Sequence, residues 1–428
     1  MKQIIQNISP LLKEVHKKGF FHLFSANILI QVFAFASQLF VAGILLPDDL
    51  GRIKIIQTFL SIFSIIAMMG FNSSTLKLCS ENHFTDSQRN RIFKSGLLFT
   101  LLSSVSVYII ILILNLFNLF SSDTYIQYLI PIGLFPVISN SLFQIYVSYT
   151  QAIKQIKLMS RLTISNKLIS IIGIIILTYL FGINGYYIAY NLSFILMLIV
   201  CIYVFHRYLN LNLSSHSISK KIFRTHWQYA RPSLFSNLFA EVSVYVDIIL
   251  ISLFFPKENM TDIGFYSFAL TLTVILRLFP STVQQISLPY FSSFSHDRET
   301  FMQIYKKYNR ILYLAVVITL IAAVTVIPLF LHWVFAGKYI LSIQYFLPMA
   351  FGWSIRQLTQ LQSSAIFGLG KIEYTAYNNI ISIFVNTLLF IIAIHFWGLL
   401  GAAYVSIISN TIYFLISRIF FKKALQQI

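Results

Sequence analysis

The sequence predicts an all-α integral membrane protein of twelve transmembrane helices. It places them in two six-helix bundles, related by a parallel pseudo-two-fold repeat around a central hydrated cavity. Three observations predict this. Of 428 residues, 57% are hydrophobic and only 10% charged, far below the roughly 25% charged of an average soluble chain. Charge-free runs long enough to cross a bilayer, about 20 residues, recur from one end of the chain to the other. Landmarks of the first half return in the second at nearly one offset.

The spans follow in order. Leu23 to Leu46, Ile55 to Leu76, Ser95 to Ser122 and Thr124 to Ile153 carry no Asp, Glu, Lys or Arg. Leu168 to His206 carries none either but is too long for a single crossing, and divides at Gly182-Ile183-Asn184-Gly185, a turn signal. Pro232 to Pro256, Gly264 to about Phe294, Ile311 to Gly337 and about Ser342 to Phe367 come next. Tyr374 to Ser417 divides at Gly398-Leu399-Leu400-Gly401 and completes twelve. Residues 4 to 15 place Ile4, Ile5, Ile8, Leu11, Leu12 and Val15 at the spacing of a short helix lying on the inner surface, which Pro10 weakens. The lysines before the first span raise a signal peptide as a possibility, but the apolar run continues unbroken to Leu46, so no cleavage is expected.

With the N-terminus inside, 24 of the 31 Lys and Arg residues fall on the inner side, as the positive-inside rule requires. Arg52, Lys54, Lys257 and Lys338 fall in outer loops. Both termini are therefore expected in the cytoplasm. The +18 charge is dispersed among short loops rather than gathered into one patch, so nucleic acid is not an expected partner. Two distant cysteines, Cys79 and Cys201, exclude a disulfide scaffold.

The repeat rests on three pairs. Asp49-Leu50-Gly51 matches Asp262-Ile263-Gly264, Phe135-Pro136 matches Leu347-Pro348, and Gly182-x-x-Gly185 matches Gly398-x-x-Gly401. Six spans per half make the repeat parallel. The expected organisation is a cytoplasmic segment at 1–21, a bundle at 22–206, a basic cytoplasmic linker at 207–228, a second bundle at 229–421 and a tail at 422–428.

Polar residues recur every three or four positions within several spans: Asn27, Gln31 and Gln38; Gln57, Ser61 and Ser64; Asn140, Gln144, Ser148 and Gln151; Ser233, Asn237 and Glu241; Thr273, Arg277, Ser281 and Gln284; Arg356, Gln360 and Ser363. Each stripe alone is consistent with hydrogen bonding between helices; six of them across both halves point to a hydrated cavity. Lys167, Glu241, Asp247, Arg277 and Arg356 are the ionisable residues inside spans. Lys167 lies near an inner helix end, where snorkelling would also explain it. Arg277 and Arg356 lie 13 and 14 residues from the outer starts of their spans, hence ~20 Å deep. Glu241 is at the depth to pair with Arg277, either as a static ion pair or as part of a transport path. Arg356 is then the cation most available to an anionic ligand, and Asp247 the carboxylate most available to H⁺ or Na⁺. No His or Cys spacing suits a metal, and Gly368-Leu369-Gly370-Lys371 lacks the residues of a nucleotide-binding loop. No cofactor beyond the coupling ion is expected.

Tyr229-Ala230-Arg231-Pro232-Ser233, the mid-helix Asp247, Gly264-Phe265-Tyr266, Leu369-Gly370-Lys371 and Gly401-Ala402-Ala403 resemble features of the O-antigen flippases of the polysaccharide-transporter family. That family lies within the superfamily holding the multidrug and toxin extrusion proteins, and the resemblance spans the whole chain. It implies a non-enzymatic flippase of a bacterial inner membrane, moving polyprenyl-pyrophosphate-linked oligosaccharide outward by ion-coupled alternating access. It also implies a polysaccharide polymerase and a chain-length regulator as partners. A monomer surrounded by membrane lipid is expected. On this reading Arg356, Arg277, Lys167, Gln360, Gln144 and Gln31 bind substrate, while Asp247 and Glu241 couple the ion. A cation-coupled multidrug exporter on the same scaffold is the alternative; a membrane enzyme of polysaccharide assembly is disfavoured by the short outer loops.

Overall fold

The computed structural model describes residues 20–80, 84–209, 220–254, 260–294 and 297–426. The expected surface helix at residues 4–15 lies outside the described residues, as does 210–219 of the expected linker. All regular structure among the described residues is helical.

The N-terminal half runs α1 (Phe20–Ile44), α2 (Pro47–Met68), α3 (Phe71–Ser80), α4 (Asp86–Leu116), α5 (Thr124–Leu134), α6 (Pro136–Ala152) and α7 (Ile156–Leu209). The C-terminal half runs α8 (Lys220–Phe254), α9 (Met260–Thr273), α10 (Ile275–Ser293), α11 (Arg298–Val334), α12 (Ser342–Gln357), α13 (Gln360–Gly368) and α14 (Ile372–Leu425). Local chemistry sets the boundaries. Pro47 opens α2 with Asp48 and Asp49 in its first turn, where a missing N–H costs nothing and negative charge meets the helix dipole. Thr85 and Gln88 form a reciprocal capping box at α4. Asp123 caps α5 by accepting from Tyr125 N at 2.8 Å.

Among the described residues, eight helical segments are long and apolar enough to cross a membrane; this is a multi-pass membrane protein. Two of the segments, of 50 and 53 residues, would each run ~75 Å if straight, more than twice the ~30 Å hydrocarbon core. They double back instead. In α7 the break is at Gly182, with φ 60° and ψ −141°, and a Cβ on Gly173 would lie 3.5 Å from Ala189. In α14 the break is at Gly398, and Tyr413 OH donates to Asn379 Oδ1 across the fold. Both breaks fall where the glycine pairs predicted turns.

Several boundaries differ from the charge-free runs. The second span begins at Pro47 rather than Ile55 and stops at Met68, so Arg52 and Lys54 belong to helix α2 and not to a loop. The expected linker at 207–228 is helical from Lys220 onward. Within it His226 is fully buried, with ring nitrogens 2.8 Å from Ser74 Oγ and 3.1 Å from Ser95 Oγ. The ninth span begins at Arg298 rather than Ile311. The reason is common to all three. Helices extend past the hydrocarbon into the polar interface or border a polar cavity, where charged residues are tolerated, and a charge-free window recovers only the apolar middle.

The two halves meet near both ends of α2. At one end the repeat-related glycines touch: a Cβ on Gly51 would lie 3.1 Å from Gly264 N, and one on Gly264 would lie 1.9 Å from Pro47 O. Thr261 Oγ1 donates to Asp48 Oδ1 at 2.7 Å and Tyr339 OH to Leu45 O at 2.9 Å beside them. Just past the other end, in the first turn of α3, Ser73 Oγ accepts from Ser233 Oγ at 2.6 Å. Exposed Trp333, Phe384 and Leu116 lie on the outer surface, as lipid-facing side chains should.

Candidate functional site

Between the two halves lies a cavity of about 580 Å³. Helix α1 contributes Ser37 and Gln38; α2 Lys54 and Gln57; α6 Asn140 and Gln144; α7 Asn166 and Lys167 before its break and Tyr186 and Tyr190 after it. From the C-terminal half come Tyr245 on α8 and Ser267 and Thr271 on α9. Among the described residues the lining holds two cations, Lys54 and Lys167, and no carboxylate. Lys54 Nζ sits 5.5 Å from the centre of the Tyr245 ring, so a residue of the other half seats it by a cation–π contact. Gln57 donates from Nε2 to Tyr186 OH, and Gln144 Nε2 to Asn140 Oδ1 at 3.3 Å.

A second, much smaller pocket of about 30 Å³ lies within the C-terminal half and includes Asp247, Tyr266, Arg356, Asn386 and Asn410. Asp247 accepts from Ile248 N at 2.9 Å and from Tyr266 OH at 3.1 Å. Arg356 donates from Nη1 to Asn410 Oδ1 at 3.3 Å, with its guanidinium carbon 4.4 Å from the Tyr413 ring centre and 5.6 Å from that of Trp353. Helices α8 and α9 partition the two spaces: Tyr245 and Ser267 face the large one, Asp247 and Tyr266 the small one.

The residues singled out from sequence thus divide. Lys167 and Gln144 line the large cavity; Arg356 and Asp247 share the small one. Arg277 is exposed on α10, outside both. Glu241, part-buried on α8, lies within Coulombic range of Arg277, but the two form no ion pair within 4 Å. Gln360 donates to Gln357 Oε1 at 3.2 Å on its own side of the molecule. The side chain of Gln31 lies outside the described residues.

Sequence reasoning missed Lys54, Asn166, Tyr186, Tyr190 and Tyr245. A signal for Lys54 was present, since Lys54, Gln57, Ser61 and Ser64 continue one stripe at three-to-four spacing. Counting Lys54 as a loop residue hid it. Arg52, two positions earlier, does different work: it pairs with Asp123 at 2.9 Å and Asp49 at 3.0 Å, tying α2 to the start of α5.

Residues 16–295 match the family described as polysaccharide biosynthesis protein. The chain belongs to this family. No curated protein matches it closely enough to be called a relative. Among solved structures it is similar to the lipid II flippase MurJ in an inward closed conformation, with TM-score 0.76 and 16% identity over 95% of this chain and 89% of that one. It is also similar to an inward-facing multidrug resistance MATE family transporter of the MOP superfamily, with TM-score 0.68 and 13% identity over 93% and 96% of the two chains. A MOP superfamily transporter from Pyrococcus furiosus gives TM-score 0.63 and 14% identity over 95% and 96%. The fold is that of the MOP superfamily.

Proposed function

We propose that this protein is a flippase for a polyprenyl-diphosphate-linked saccharide, moving it from the inner to the outer leaflet of a bacterial inner membrane. The observation that carries the reading is the large cavity, whose described lining presents two lysines and no carboxylate among amides and hydroxyls. A diphosphate is multiply anionic, and lysine ammonium groups in a low-dielectric cavity hold phosphate oxygens by charge-assisted hydrogen bonds. The polar walls suit a hydrated sugar, while the prenyl tail stays in lipid. Lys54 and Lys167 are the groups that hold the diphosphate, and Gln144 faces the sugar. Family membership and the likeness of fold to a lipid II flippase support the same reading.

Counted with the two doubled helices, with α1, and with α12 and α13 as one, the chain makes twelve crossings in two six-helix halves, both termini in the cytoplasm. Contacts near both ends of α2 correspond to a closed state of an alternating-access cycle. Asp247, in the small pocket, is the carboxylate for the coupling H⁺ or Na⁺, with Arg356 as its neighbour rather than the substrate's. No chemical step on the sugar is required of the protein. The alternative, a multidrug exporter of organic cations, is favoured by the MATE likeness of fold but calls for carboxylates where this cavity has lysines.

The test is gradient-driven movement of a lipid-linked oligosaccharide in reconstituted vesicles. Asp247→Asn is expected to retain headgroup binding and lose the dependence of transport on the imposed H⁺ or Na⁺ gradient. Unaltered gradient dependence in that variant removes Asp247 from the coupling scheme.

A further inference from the structure

The two lysines account for an anion and leave most of the large cavity unexplained. Its remaining wall has two features. The first is a run of rings on α7: Tyr186, Tyr190 and Phe194 occupy i, i+4 and i+8, and all three line the space. Tyr186 and Phe194 are buried, while Tyr190 between them is only part-buried. Tyr186 is fixed through its hydroxyl by Gln57, and Phe194 packs edge-on against Tyr190 with ring centres 5.3 Å apart. Tyr190 is thus a braced ring at the cavity wall. Packing alone explains its neighbours but not why this ring is left part-uncovered.

The second feature is unspent hydrogen-bonding capacity. Asn166 and Ser267 both line the cavity, are 7% and 2% exposed, and carry side-chain oxygens with no hydrogen-bond partner in the protein. They sit on opposite halves, Asn166 on α7 and Ser267 on α9. Buried polar groups are nearly always paired, so an orphan beside a cavity points to a ligand that completes it. Asn166 adjoins Lys167 in sequence, and Tyr190 is within Coulombic range of Tyr245, whose ring seats Lys54.

A pyranose offers two chemistries at once: an apolar C–H face that lies against an aromatic ring and a rim of hydroxyls that need amide and hydroxyl partners. We propose that Tyr190, Asn166 and Ser267 form a saccharide subsite for the sugar directly attached to the diphosphate. Tyr190 stacks on its face, and Asn166 and Ser267 bond its hydroxyls from the two halves. This rests on the flippase reading above and adds to it: the cavity recognises the first sugar as well as the diphosphate. Because the partners come from both halves, a bound sugar favours the closed state over an open one.

The experiment compares two probes on purified full-length protein: farnesyl diphosphate, and farnesyl diphosphate carrying one N-acetylglucosamine. The readout is the ratio of their dissociation constants. In the parent protein the sugar-bearing probe binds at least about tenfold tighter, the net worth of about one hydrogen bond. Tyr190→Leu and Asn166→Ala bring the ratio to near one, and Tyr190→Phe, which keeps the ring, restores it. Lys54→Gln weakens both probes and leaves the ratio in place. Equal affinities in the parent protein, or a ratio untouched in Tyr190→Leu and Asn166→Ala, overturn the subsite while leaving the diphosphate reading intact. Failure of the parent protein to bind either probe overturns both.

Discussion

Lys54 and Arg52 show how two cations a half-turn apart on one helix take different roles. Arg52 faces the start of α5 and pairs with Asp123, whose side chain is fully buried. Removing one partner of a buried pair strands the other charge, so Arg52→Ala is expected to destabilise the protein by about 3 kcal/mol, measured as a lowered unfolding midpoint in detergent. Lys54 faces the cavity, where the Tyr245 ring seats it and Asp247 lies within Coulombic range without forming an ion pair. Lys54→Gln should therefore leave the unfolding midpoint near its original value and reduce lipid-linked saccharide transport at least about tenfold, the worth of one hydrogen bond to a charged group. Lys54→Arg should preserve most of the transport. If Lys54→Gln transports normally, the cation–π contact is structural and the diphosphate is held elsewhere.

Among the elements, the doubled helices and the α2 interface carry the architecture. Gly182 has open space where a Cβ would go, yet its φ of 60° paired with ψ of −141° is a region open to glycine alone. Gly182→Ala should cost about 1–3 kcal/mol from backbone strain, seen in the same unfolding assay, although nothing is there to clash with. At Gly264 the limit is space: a Cβ would fall 1.9 Å from Pro47 O. Gly264→Val should hold the halves apart at that end. A cysteine placed on the cavity wall would then react faster with a membrane-impermeant thiol reagent, in a background where Cys79 and Cys201 are replaced. An unchanged labelling rate would show that this contact does not close the cavity.

The same elements show what was readable in the sequence. Gly182 and Gly398 announced their breaks because glycine pairs between long apolar runs have few other uses. The starts of α2, α8 and α11 were hidden, because Lys54, Lys220 and Arg298 carry charge and a rule built on its absence stops short of them. The candidate site was readable only in part. Lys167 and Gln144 stood out as polar residues in apolar runs and do line the cavity. Tyr190 and Tyr245 did not, because tyrosine is ordinary in a chain with 24 of them, and only three dimensions distinguish a ring on a cavity from one in the core. Arg277 and Arg356 sit at the expected positions in the chain but do not line the large cavity. Depth along a helix is legible in sequence, whereas the direction it faces depends on neighbours chosen by the fold.

At the scale of the whole molecule, a cavity with basic and hydroxylic walls lies between two halves that touch near each end of α2. Charge decides between the two functional readings. A cation exporter must repay the desolvation of its substrate with carboxylates, and a lipid diphosphate carrier with ammonium groups. The most direct measurement is the sidedness of a lipid-linked oligosaccharide in proteoliposomes. An H⁺ or Na⁺ gradient is imposed, and a lectin outside reports sugar arriving in the outer leaflet over time. The account predicts gradient-dependent arrival that is lost in Lys54→Gln. No arrival in the parent protein, with gradient-driven efflux of a cationic dye in its place, would contradict it.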